Sequence, residues 1–155
     1  MFLKQNRNMS PAKKRHSEEL VRFQLRGIDL LDICFIHPKQ PVPPRMVFKF
    51  DIKLEHKIPS DNNLIAVVVT VDIREENKTD RLGSIMASCV YEVPDINDYI
   101  DKNTNLPKFP EEFIATINSV SISTVRGIMF AQFRGTFLHN AVLPVVDPKS
   151  FVPQT

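Results

Sequence analysis

Positions 113–133 (FIATINSVSISTVRGIMFAQF) hold 21 residues with a single charge, Arg126, in a chain of 155. Wound at 3.6 residues per turn, Phe113, Ile114, Ile117, Ile122, Thr124, Val125, Ile128, Met129 and Phe133 cover well over half the circumference. Thr116, Ser119, Ser123 and Arg126 keep a narrow polar stripe. One small sheet does not cover so wide an arc, so the surplus predicts self-association or binding. Ser119 to Val125 (SVSISTV) also alternates as a strand would. Pro110-Glu111-Glu112 decides for a helix, because proline and acids belong in a first helical turn. Polar side chains interrupt the stretch well short of 18 consecutive apolar residues, so no membrane insertion is expected.

Ahead of the helix the period changes from 3.6 to 2. Val21 to Phe35 (VRFQLRGIDLLDICF) alternates as Val21, Phe23 and Leu25, then slips after Gly27 so that Leu31, Ile33 and Phe35 carry the apolar row, which predicts a bulged strand. His37 to Arg45 (HPKQPVPPR) contains four of the 12 prolines, which cannot donate to a ladder; it is a crossover loop. Phe48 to Ile58 alternates Phe48, Phe50, Ile52, Leu54 against Lys49, Asp51, Lys53, Glu55, the mark of a strand with one dry and one wet face. Leu64 to Arg74 (LIAVVVTVDIR) is a central strand whose Ile65, Val67, Val69, Val71 and Ile73 face the core. With Ile85 to Val93 (IMASCVYEV) the strands number four, in an up-and-down antiparallel sheet. The fold class expected is α+β: a four-stranded antiparallel sheet with a long C-terminal helix on one face. Pro144, Pro148 and Pro153 forbid a long second helix.

Composition narrows the function. The length is that of one domain, here residues 19–155 behind a basic arm at 1–18, where Lys4, Arg7, Lys13, Lys14 and Arg15 meet no acid before residue 18. The arm lacks interleaved aromatics, so a nucleic-acid partner is not expected. Cys34 and Cys89 lie in strand-like runs and read as structural thiols. Met1, Phe2 and Leu3 pass at once into a polar stretch, which predicts a cytoplasmic protein. Asp29 with Asp32, Glu75 with Glu76, and Glu111 with Glu112 fall at a strand edge, a loop and a helix start rather than in a convergent pocket. His16, His37, His56 and His139 show no metal spacing and sit beside turns or on polar faces. Four glycines offer no phosphate-cradling loop. No catalytic residue, cofactor or metal is expected, and the chain reads as a non-enzyme.

The order of elements and three local matches resemble the SecB-type export chaperones. Phe23 to Pro38 (FQLRGIDLLDICFIHP) looks like that family's first strand, Tyr91-Glu92-Val93 like the close of its fourth, and Arg134-Gly135-Thr136-Phe137 with Leu143-Pro144-Val145 like its post-helix motif. The resemblance covers about 21–151. It implies an ATP-independent holdase for unfolded or non-native polypeptides in protein export, or alternatively a dedicated chaperone guarding one partner, as in a toxin–antitoxin system.

It also implies a homo-oligomer, dimer or tetramer. Ile114, Ile122, Val125 and Met129 would meet a partner subunit, with Ile85 and Ala87 at a second interface, while Phe113, Ile117, Thr124 and Ile128 cover the chain's own sheet. By position, the client groove falls on Val42, Met46, Phe137, Leu143, Val145 and Phe151. The family's contact with the SecA motor falls on Asp32 and Leu82; its two further acidic positions are occupied here by Ile36 and Ser84.

Overall fold

A computed structural model describes residues 20–60 and 62–153. The basic arm expected at 1–18 lies outside the described residues. The chain forms β1 (Gln24–Phe35), β2 (Phe48–Lys57), β3 (Leu64–Glu75), β4 (Arg81–Glu92) and α1 (Glu111–Phe133), with single 3-10 turns at Ile96–Tyr99 and Pro148–Phe151. All strand pairs are antiparallel.

Sheet order corrects the expected up-and-down meander. β2, β3 and β4 are hairpin neighbours, but β1 lies beside β4, giving β1-β4-β3-β2 and a Greek-key connection. The proline-rich crossover makes this possible by carrying the chain from one edge of the sheet to the other.

β3 sits between two partners and reads as expected: Ile65, Val67, Val69, Val71 and Ile73 are all sealed from solvent. Opposite them, β4 buries Ile85, Ala87, Cys89 and Tyr91 on the same face, since directly paired residues share a side. β1 is irregular twice, between Leu25 and Gly27 and between Leu30 and Asp32. The second bulge makes Leu31 the extra residue, so the row facing the helix is Leu25, Ile28, Leu30, Ile33 and Phe35, paired with Tyr91, Cys89, Ala87, Ile85 and Gly83. Leu31 therefore leaves the apolar row assigned to it.

Gly83 is required by close approach. A Cβ there would lie 2.7 Å from Leu138 Cδ1 and 2.8 Å from the Cys34 carbonyl oxygen. Backbone cannot retreat from such a contact without breaking the β1–β4 ladder, so only glycine fits.

α1 crosses β3 and β4. Phe113, Ile117, Ser121, Val125, Met129 and Phe133, spaced four apart, form the inward ridge. Tyr91 ties this ridge to the sheet: its hydroxyl donates to the Ile117 carbonyl oxygen (3.1 Å) and lies 2.8 Å from Ser121 Oγ. Burial pushes the Tyr91 phenol up to about 12. His56 belongs to the inward row of β2, not to a polar face as its sequence neighbours imply. It is half-buried, with Nε2 2.7 Å from Oδ1 of the buried Asn118 on α1.

Gly135, at φ 74°, turns the chain after the helix. The C-terminal segment then runs back along α1. Arg126 Nε donates to the Leu143 carbonyl oxygen (2.8 Å) and Nη2 to that of Pro144 (2.9 Å), while Lys149 Nζ approaches Glu112 Oε1 at 3.4 Å. The described residues of this strap contain a single 3-10 turn and no long second helix, as the prolines require, and its Leu138, Ala141 and Leu143 enter the core. By length and composition α1 could cross a membrane, yet its inward ridge is packed within the fold. Cys89 is buried, Cys34 half-buried, and neither is in a disulfide.

Candidate functional site

Two aromatic clusters mark the ends of the helix–sheet sandwich. At the start of α1, Phe113 meets Phe23 and Phe109 edge-on or tilted, with ring centroids 5.4 and 5.1 Å apart, and Tyr99 stacks on Phe109. At its end, Phe35 packs edge-on against Phe133 (5.6 Å) and Phe137 (6.3 Å), and the His37 imidazole lies 5.3 Å from the Phe137 ring. The 94–109 connection supplies Tyr99 and Phe109 to the first cluster, in which Phe23 stays partly exposed. The second opens into a groove.

That groove, about 650 Å³, is bounded by the proline-rich crossover on one side and the 136–140 turn on the other. Met46 and Phe48 lie where the crossover enters β2, and Phe137 projects from the turn. Pro38, Pro41, Pro43 and Pro44 line the first wall with rigid rings and no N–H. Thr136, His139 and Asn140 supply polar groups on the second. A neighbouring hollow of about 680 Å³ lies between the crossover and the β3–β4 turn, sharing with the groove most of the crossover wall, Lys39 included, and Met46. The lining is about as polar as it is apolar, so the floor suits apolar side chains of a ligand while the walls offer hydrogen-bond partners.

Of the six positions carried over for client binding, Val42, Met46 and Phe137 line this groove and are half-buried. The other three do not. Leu143 is 1% exposed and belongs to the core, held there by the strap's run along α1. Val145 is 91% exposed on the outer side of the strap, away from any hollow lined by the groove residues. Phe151 packs against the core from the second 3-10 turn. His37, Phe48 and His139 also line the groove, without a sequence signal that marks them for it. The alternation of β2 marked Phe48 as apolar, but nothing local in sequence joins it to His139.

The interface positions also need correction. Ile85, Ala87, Ile122, Val125 and Met129 are buried within the single chain, between α1 and its own sheet, and only Ile114 is half-exposed. They have no surface left to offer a partner, because Val125 and Met129 belong to the inward ridge of α1 and Ile85 and Ala87 to the sheet face beneath it. The apolar surface actually left open on this side of the sheet is on β1. It is one of the two edge strands, and α1 lies over β3 and β4 instead, so Leu25, Ile28 (48% exposed) and Leu30 (42%) stay uncovered.

Asp32 is exposed opposite Met86, on the sheet face away from α1, but Leu82 is buried. Of the two companion positions, Ile36 is exposed and Ser84 buried. These four do not form a surface patch. Among the described residues no group of three or more histidine, cysteine or carboxylate side chains could hold a metal.

An antiparallel Greek-key sheet carrying one long helix, with an open groove beside a proline-rich crossover, defines the SecB-like fold. Among solved structures the chain is similar to the Mycobacterium tuberculosis Rv1957 SecB-like chaperone in complex with a ChAD peptide from the HigA1 antitoxin, with a TM-score of 0.53 and 16% identity over 81% of this chain and 91% of that one. No protein-family model matches the sequence, and no curated protein does.

Proposed function

We propose that this protein is an ATP-independent chaperone that holds extended, non-native polypeptide segments in the groove between the crossover and the 136–140 turn. The observation that carries the proposal is the groove itself: an open apolar floor of Met46, Phe48 and Phe137 on a fold shared with a peptide-binding chaperone. Methionine adapts its shape, and an aromatic floor accepts many apolar side chains, so this floor favours varied clients. Light scattering of a chemically unfolded client tests it. Stoichiometric protein is expected to suppress aggregation without nucleotide, and a Val42→Asp/Met46→Asp variant, altered only at half-buried positions, to lose suppression while keeping its thermal midpoint. Aggregation unaffected by the wild-type chain would sink the proposal.

A second form, a dedicated chaperone of one partner, is favoured by the antitoxin peptide bound to the M. tuberculosis neighbour. It predicts tight binding of one polypeptide and indifference to unrelated unfolded chains. In both forms we infer that the chain assembles with copies of itself through β1, whose free edge and uncovered apolar row offer both main-chain pairing and burial.

A further inference from the structure

We infer that the groove selects segments in which a large apolar or aromatic residue is flanked by acidic ones; this rests on the groove being the polypeptide site. The crossover wall fixes the mode of recognition. Four of its residues are prolines without an N–H, so a bound segment gains little main-chain pairing there, and side chains must discriminate.

The one charged side chain among the described groove residues is Lys39; none of them is acidic, and His37 and His139 line the groove beside it. Lys39 is exposed and forms no ion pair with any described residue, which leaves its ammonium to a ligand. Both imidazoles bring N–H donors suited to a carboxylate. In the adjoining hollow, which Lys39 also lines, Lys78 is paired with Glu75 (2.7 Å) and Arg81 with Asp72 (3.1 Å), and Asp80 is an acid outside these pairs, so the positive charge is confined to the groove side of Lys39. An aromatic anchor on the Met46, Phe48 and Phe137 floor would therefore place flanking carboxylates near Lys39 and the two histidines. Flanking lysines would meet like charge, which is how such a rim rejects as well as selects.

The test uses three fluorescent peptides of one length with the same central aromatic residue and serine, glutamate or lysine flanks, measured by anisotropy at low and high salt. The glutamate-flanked peptide is expected to bind about five- to tenfold tighter than the lysine-flanked one at low salt, with the gap closing at high salt. Lys39→Glu should reverse the order, and Lys102→Glu, the same charge change on an exposed turn far from the groove, should not. Equal binding, or tighter binding of the lysine-flanked peptide, overturns the inference. Failure of all three peptides to bind would instead overturn the groove as a polypeptide site, and with it this inference.

Discussion

Arg126 Nε donates a hydrogen bond to the main-chain oxygen of Leu143 at 2.8 Å, and the same guanidinium reaches Pro144 through Nη2 at 2.9 Å. The one charge in the apolar stretch is thus the clamp that lays the C-terminal strap along α1. The strap supplies part of the cover that the sheet alone could not. It places Leu143 in the core and brings Lys149 to Glu112 at the start of the helix.

Removing the clamp should loosen the strap before the sheet. Arg126→Met keeps the aliphatic stem and deletes both bonds, and bonds from a charged donor are worth roughly 1.5–3 kcal/mol each where buried. Because Nη2 is exposed, a loss of about 2 kcal/mol is expected, or a fall in thermal midpoint of about 4–8 °C for a domain of this size. Hydrogen exchange should rise over 141–152 and stay low in β3. An unchanged exchange pattern would show that the strap is held by its apolar contacts alone.

Tyr91 gives the fold a limit at high pH. Burial raises its phenol to about 12, above the ordinary value of 10.0. The folded state thus holds this proton more tightly than the unfolded chain does. The corresponding stability is fully present below about pH 10 and is lost as pH rises toward 12. Tyr91→Phe should remove that loss, shifting the alkaline unfolding midpoint upward. At pH 7 it should cost about 1 kcal/mol for the hydrogen bonds to Ile117 and Ser121. Coincident alkaline unfolding curves for the two proteins would contradict the assignment.

Assembly through β1 predicts a specific sensitivity. Ile28 is 48% exposed in one chain, so Ile28→Asp should change monomer stability by no more than about 0.5 kcal/mol. At a subunit interface the same carboxylate would be buried without a partner, a cost of several kcal/mol. Multi-angle light scattering should therefore show the mass fall to that of a monomer while circular dichroism is unchanged. A variant that keeps the wild-type mass would place the interface elsewhere.

Sequence by itself determined the elements. The alternation of Phe48 to Leu54, the inward row of β3, the prolines of the crossover and the Pro-Glu-Glu start of α1 are local signals. Each acts through residues two to four apart, and the structure agrees with each. The slip in β1 was also visible at Gly27, although the second bulge at Leu31 was not, since no glycine marks it.

Only the tertiary structure decided which partner covers which face. A hydrophobic arc gives the amount of surface to be buried and not what buries it. Ile122, Val125 and Met129, which the family resemblance assigns to a neighbouring subunit, are buried because the helix is turned onto its own sheet. The groove has the same origin. His37 and Phe137 stand 100 positions apart in sequence and 5.3 Å apart as rings, a contact made when the crossover and the post-helix turn meet at one end of the sandwich.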